Sequence, residues 1–502
     1  MPTLLLLLLA FRPSEAHARL DARLFAGRAA DEKVSVLVVL REQADLSGAA
    51  GIGDRIERRR FVYEALRAQA ESSQAELKED LRRQGVRFRS HFLVNVLEVE
   101  ADRATAERLS ARRDVASVAA NRPSAWSGPA LAERSSRASV AGIEPNLVLV
   151  GAPQLWELGF TGGGIVIGVA DTGFQWDHPA LLGHYRGWDG SHASHDYNWH
   201  DAIHDAPPEN PCGSDAPAPC DDYGHGTGTA GFAVGQEGED TIGVAPGAAL
   251  IGCRNMEGGI GSPERYIECF EWFLAPTDSQ GENPRPDLGP DVINNSWGCP
   301  ASEGCTDPDV LNAVVDNVRA AGIGMAFSAG NLGASCSTLA NAPAVGPGSF
   351  AIGATGLDDA IAFFSAFGPV TSDGSNRLKP DMTAPGLNLR TAGLDGTYFL
   401  NFSGTSAAAP HVAGAFALLW SAVPVLRGNV DLTEQILEQS AVHLTFNKNC
   451  GEFKGSAVPN VIFGWGRLDI PSAWALAVLA TQRIDPLLAQ PDRATRVLPP
   501  RP

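Results

Sequence analysis

No stretch of the 502-residue chain is both long and apolar enough to span a bilayer. The six leucines at 4–9 come nearest, far short of the roughly 20 residues a spanning helix needs. There is no Cys-x-x-Cys pair, which argues against a zinc site built on paired thiolates. Cysteine is also missing from the first two-fifths of the chain, the first being Cys212. Positive charge is scarce: 39 Lys and Arg face 58 Asp and Glu, a net of −19, which argues against nucleic acid as a partner. No internal repeat is visible. What is present is an ordinary globular composition, 44% hydrophobic and 19% charged, with 54 glycines, at a length that admits two to four domains.

The front of the chain divides by pattern. Residues 1–18 combine the leucine run with Ala16-His17-Ala18, a small-x-small cleavage pattern, and read as a secretory signal peptide. No Lys or Arg precedes the apolar run, so a disordered leader or a misassigned start is the rival reading. Residues 19–122 form a separate unit. A strand is expected at 34–40. A charged helix at 54–84 carries Val62, Leu66, Ala70, Leu77 and Leu81 on one face. A strand pair or one long strand comes next at 86–99, then a short helix at 104–112 and a last strand at 115–119. This β-α-β-β-α-β order suggests a small ferredoxin-like α+β domain. The unit holds 20 Lys and Arg against 17 Asp and Glu, a net of +3, so residues 145–502 carry −22 of the total −19. Opposite charge favours docking of the two, screened by salt. Residues 123–144, rich in Ser, Ala and Gly, read as an exposed linker that proteases cut readily.

From 145 to 477 apolar strands alternate with helical stretches. Strands are expected at 166–170, 249–253, 292–294, 324–327 and 351–354, and helices at 263–274, 307–321 and 406–421. Such alternation implies a mostly parallel sheet covered on both faces, an α/β domain. Residues 478–502 read as a loose tail. All eight cysteines lie between 212 and 450, an even count that suggests disulfides. Cys212–Cys220 and Cys299–Cys305 close short loops. Cys253 and Cys269 sit on a strand and the following helix, which leaves Cys336 with Cys450.

Chemistry gathers at three places. Residues 404–414 read GTSAAAPHVAG, a tight polar entry followed by helix-favouring alanines and an apolar run. Ser406 therefore falls in the first turn of a buried helix, beside unpaired N–H groups that stabilise developing negative charge. Such a serine suits a nucleophile, or equally a helix cap. Residues 165–173, IVIGVADTG, read as a buried strand ending in Asp171, where open α/β sheets place their sites. Residues 224–231, GHGTGTAG, surround His225 with glycines that permit close backbone approach. Alone, these are a turn Asp and a loop His. Together with Ser406 they give the order Asp…His…Ser, one of the known orders of a serine-hydrolase triad.

These motifs resemble those of the subtilisin-type serine proteases, the subtilases of peptidase family S8. The resemblance runs from about Pro145 to Ala477 and takes in GVAPGAAL (243–250), DVINNSWG (291–298), SAGN (328–331) and KPDMTAPG (379–386). The phrases HPALLGHYRGW, YNWHDA and EWFLAPTDSQGENPRPDLGPDVINNSWG are most similar to the bacillopeptidase F branch. The resemblance implies a three-layer α/β catalytic domain with a mostly parallel sheet over 145–477. It implies that residues 19–122 are a propeptide, at once folding chaperone and intramolecular inhibitor, with the processing site in 123–144. The whole would be a secreted serine endopeptidase, extracellular or periplasmic and monomeric. It would be made as a self-processing zymogen that acts on protein or peptide substrates through an acyl-enzyme. A catalytically silent relative used as a binding module is the other reading, and the complete residue set argues against it.

By the same resemblance Ser406 is the nucleophile, His225 its base, and Asp171 the group that fixes the histidine tautomer. Asn331 and the Ser406 N–H form the oxyanion hole. Ser296, Trp297 and Gly298 resemble the edge segment that pairs with substrate and walls the first specificity pocket, with Ser328, Ala329 and Gly330 opposite. Trp297 serves core packing equally well. No cofactor is required. Calcium is common among subtilases, and Asp177, Asp221 and Asp222 are candidate ligands. Two positions depart from the pattern. Gly228 stands where a second His is usual, and Ala407 where Met usually follows the nucleophile, so the packing beside His225 and Ser406 is open.

Overall fold

A computed structural model describes residues 19–21, 23–125, 134–135, 142–303, 305 and 309–482. The expected signal peptide, most of 126–141 and the chain beyond 482 lie outside these.

The first unit runs β1 (Val34–Leu40), α1 (Arg55–Arg83), β2 (Phe88–His91), β3 (Val96–Ala101), α2 (Arg103–Ser110) and β4 (Val115–Ala120). Its sheet has the order Arg19–Leu20, β4, β1, β3, β2, with β1 to β4 antiparallel to one another and Arg19–Leu20 parallel to β4. This is the ferredoxin-like arrangement expected. The ambiguous 86–99 stretch is two strands. Helix α1 starts where the Asp54 carboxylate accepts the Ile56 and Glu57 N–H groups, a regular N-cap. Its period-3.6 stripe is buried: Val62, Leu66 and Leu77 are at most 2% exposed.

The second unit is built on seven parallel strands. In chain order they are β5 (Val166–Asp171), β6 (Trp199–Asp201), β7 (Ala249–Arg254), β8 (Val292–Asn295), β9 (Gly324–Ser328), β10 (Ala351–Thr355) and β11 (Met382–Pro385). Their spatial order is β6-β7-β5-β8-β9-β10-β11, every pair parallel. Five helices carry site residues or cover the sheet: α3 (Pro145–Val150), α4 (His225–Val234), α5 (Pro263–Leu274), α6 (Asp309–Ala320) and α7 (Thr405–Ala422). Alternation along the strands sends Ile167, Val169, Leu250 and Ile352 to one face, where they pack with α4 and α7. Ala170, Ile251, Cys253 and Ile293 go to the other, against α5 and α6. That makes three layers. The closing helix, Ile470–Gln482, runs past residue 477 into what reads as a tail.

The two units share one apolar cluster. Val62, Leu66, Leu93 and Val94 of the first pack with Phe270, Trp272 and Val310 of the second. Arg59 is buried and donates to the Pro290 carbonyl (2.8 Å), and Asn317 donates to the Leu93 carbonyl (2.6 Å). The described parts of 123–144 are held as well. Ser124–Ala125 pairs antiparallel with Ile260–Gly261, Arg134–Ser135 with Tyr398–Phe399, and Gly142–Ile143 parallel with Asp240–Thr241. Four disulfides join Cys212–Cys220, Cys253–Cys269, Cys299–Cys305 and Cys336–Cys450, the pairing expected.

Candidate active site

Strand β5 ends at Asp171, at the carboxyl edge of the sheet, and its carboxylate is fully buried. Asp171 Oδ1 accepts the Thr172 N–H (2.8 Å) and lies 2.7 Å from His225 Nδ1. Asp171 Oδ2 accepts the Thr229 hydroxyl (3.2 Å). A carboxylate cannot donate, so His225 Nδ1 carries a proton, and Nε2 is the ring nitrogen left to act as a base.

His225 opens helix α4, a helix of poor propensity with glycines at 226, 228 and 231. Close approach accounts for them. A Cβ on Gly226 would lie 1.9 Å from the Gly173 carbonyl oxygen, and one on Gly231 2.4 Å from Thr391 Oγ1. The helix start is held by Asp221, which accepts from Thr172 Oγ1, Tyr223 N, Gly224 N and both donors of Thr227, at 2.6–3.0 Å. Burial raises the Asp221 pKa, and these donors oppose it. Asp221 is thus spent on orienting the histidine loop. Asp222 pairs with buried Arg254 (2.7 Å), and Asp177 is exposed beside Gln175. The three candidate calcium ligands have separate partners, and no group of three metal-binding side chains converges among the described residues.

Helix α7 begins at Thr405, with Ser406 in its first turn. Pro410 lies inside the helix and has no N–H for the carbonyl four residues back, which is that of Ser406. The Ser296 hydroxyl supplies the missing bond, donating to Ser406 O (2.9 Å), while Ser406 Oγ donates to the Ser296 carbonyl (3.1 Å). Asn331 stands alongside. Its Oδ1 accepts the Thr405 N–H (2.9 Å) and hydroxyl (3.0 Å), which turns its amide nitrogen the other way. A Cβ built on Gly404 would sit 3.5 Å from Ser406 N, 3.6 Å from Asn331 Nδ2 and 3.6 Å from Ser406 Cβ. Glycine leaves that point empty, with two N–H donors and the serine around it.

The departures at 228 and 407 border one aromatic cluster of Phe232, Leu389, Phe399, Phe402 and Ala407. Phe402 packs 5.6 Å from the His225 ring, and a Cβ on Gly228 would lie 2.8 Å from it. The small residues at 228 and 407 accommodate that ring. Of the expected substrate-contacting residues, Ser296 and Trp297 are fully buried and Ser328 and Ala329 nearly so, while Gly298 and Gly330 are half-buried. The Trp297 indole stacks on Tyr266 at 3.9 Å, so its side chain is core. The supporting roles of Thr229, Asp221 and Thr405 are missed by sequence reasoning. The only signal for Asp221 is its place four residues before His225.

A model described as the subtilase family matches residues 162–466, over half of the chain. The chain belongs to the subtilase family. Bacillopeptidase F of Bacillus subtilis (strain 168) is 35% identical over 408 residues, 78% of this chain and 27% of that protein. Subtilisin NAT of Bacillus subtilis subsp. natto is 31% identical over 297 residues, 58% of this chain and 64% of that protein. The subtilisin of Bacillus pumilus is also 31% identical over 297 residues, and there the match spans 89% of it. The chain thus spans about a quarter of the length of bacillopeptidase F and just under two-thirds of subtilisin NAT.

Proposed function

We propose that this subtilase is a secreted serine endopeptidase that hydrolyses peptide bonds through Asp171, His225 and Ser406. The observation that carries the reading is the buried Asp171–His225 bond together with the empty point framed by Ser406 and the amide of Asn331. In the reaction Ser406 Oγ turns from the Ser296 carbonyl towards His225 Nε2 and attacks the substrate carbonyl. His225 takes the hydroxyl proton as the Oγ–C bond forms, and Asp171 stabilises the imidazolium. The oxyanion is received by Asn331 Nδ2–H and Ser406 N–H. His225 returns the proton to the leaving amine, the acyl-enzyme forms, and water reverses the sequence. Gly298, half-buried, offers backbone for substrate pairing beside this point. Gly330 forms pocket wall, with its N–H and carbonyl bonded to Thr405 Oγ1 (3.1 Å) and the Ala366 N–H (3.0 Å), and the small residues 328–330 favour large apolar side chains before the cut.

Residues 19–122 are proposed as propeptide. Just after them, Ser124–Ala125 pairs with the Ile260–Gly261 edge, and the next described pair, Arg134–Ser135, lies on the strand leading to Ser406. A self-processing cut between these anchors, in 126–133, fits both. The decisive test is labelling of the purified, processed protein with a serine-directed phosphonofluoridate. The expected result is one label per chain on the peptide bearing Ser406, loss of peptide-anilide hydrolysis with labelling, and an uncut precursor for Ser406→Ala. Labelling elsewhere, or undiminished hydrolysis by Ser406→Ala, overturns it.

A further inference from the structure

The turn just after the nucleophile is braced from an unexpected quarter. Two carbonyls there lack or supplement helical bonding: Ser406 O is bonded by Ser296, and Ala407 O accepts from His411 Nδ1 (2.7 Å). The carbonyl can only accept, so Nδ1 holds the proton and Nε2 is an acceptor. The atom facing Nε2 at 2.8 Å is Asn146 Nδ2, which therefore donates. His411 is fully buried and Asn146 is 1% exposed. Asn146 lies on α3, just after Gly142–Ile143 pairs with Asp240–Thr241 and Glu144 pairs with Arg390 (3.0 Å). A short strap at the front of the second unit thus reaches the helix that carries Ser406.

We propose that Asn146 is a positioning residue for Ser406, acting through His411 on the first turn of α7, so that the strap at 142–146 is a working part of the active site. The proposal rests on the peptidase reading above. Its chemistry depends on a neutral His411. Burial pushes the His411 pKa down to about 4, the Ala407 carbonyl opposing this. The groups packed on the ring are Asn146 from α3, the Ala407 carbonyl from α7 and the Phe232 ring from α4 (5.5 Å), none of them charged. The ring thus keeps the tautomer set by the Ala407 carbonyl across the working range, and Asn146 satisfies its other nitrogen and holds the ring in place.

The test uses the full chain, processed, with each variant normalised by phosphonofluoridate titration. Asn146→Leu removes the donor. It should lower kcat by about tenfold, the effect of one lost buried bond, with KM within about twofold. Asn146→Asp keeps the shape but faces Nε2 with a carboxylate, which draws a second proton onto His411. Its activity should hold while that proton stays and fall at alkaline pH, a limb absent from wild type. Equal kcat per labelled site in Asn146→Leu overturns the proposal, as does an Asn146→Asp profile parallel to wild type. If Asn146→Leu does not accumulate, the Asn146→Asp profile decides alone. A wild type that takes no label would instead sink the peptidase reading, so the two failures are distinct.

Discussion

At the scale of single residues the site is a set of donors whose acceptors leave them no choice. Asn331 Oδ1 takes two donors from Thr405, so its Nδ2 has one direction left, towards the gap over Gly404. Asn331→Ala is therefore expected to lower kcat by about 10²–10³ while KM changes little, the magnitude established for the oxyanion asparagine of subtilisin. Thr405→Val removes one of the two donors and keeps the backbone one. Its kcat loss should be smaller, about tenfold, because the amide is loosened and not deleted. Initial rates on a peptide anilide, scaled to titrated sites, check both. A Thr405→Val enzyme as impaired as Asn331→Ala would mean that the threonine acts by another route. The candidates Asp171, His225 and Ser406 are legible in the sequence from their glycine- and alanine-flanked motifs and their order, and Asn331 from the resemblance of SAGN to the subtilase motif. Their supports are not, because Thr405, Thr229 and Asp221 are ordinary polar residues until folding brings them within reach.

At the scale of elements, helix α4 is the case where composition and structure part. Three glycines in ten residues disguise a helix, and GHGTGTAG reads as a loop. The glycines are required because the helix is wedged between Gly173, Thr391 and Phe402, where a Cβ would collide. Gly228→Ala tests this. Alanine gains about 1 kcal/mol in helix propensity, but its Cβ would meet Phe402 at 2.8 Å, and overpacking costs about 1–3 kcal/mol. The variant should be less stable to urea, and Phe402→Leu in the same chain should restore it; additive effects in that double-mutant cycle would remove Phe402 as the reason for glycine. The apolar strands β5, β7, β8, β9 and β10 and helix α5 are legible from their runs to within a residue or two. Strands β6 and β11 are not, since WHD and MTAP carry no apolar run. The 123–144 stretch reads as a free linker because backbone pairing to distant edges leaves no trace in local composition.

At the scale of the whole molecule, charge arranges how the two units meet. Helix α5 turns Glu264, Glu268 and Glu271 towards the β2 end of the first unit. There Arg89 bonds Glu264 and Glu268 (3.0 Å), and Glu271 takes the Phe92 and Leu93 N–H groups. His91, 1% exposed, lies between them, with Nδ1 3.1 Å from Glu271 and Nε2 3.8 Å from Glu264. Burial works against a charge on His91, but Glu271 and Glu264 overcome it and raise its pKa from 6.5 to about 9. A group whose pKa is raised on docking contributes fully below its free value and loses that contribution as pH rises through the docked one. Docking should therefore hold near pH 6.5 and weaken through pH 9, by up to about tenfold per pH unit. If residues 19–122 are the inhibitor proposed above, their inhibition constant against the processed enzyme should rise over that window. His91→Phe should be weaker at pH 7 and nearly flat up to pH 9. Salt should weaken the arginine contact in both proteins without shifting the midpoint of the histidine step. An inhibition constant that is level from pH 6.5 to 9.5 in the unaltered protein would mean that His91 is neutral in the complex, and the acidic face of α5 would then owe its grip to Arg89, the Phe92 and Leu93 N–H groups and the buried apolar cluster.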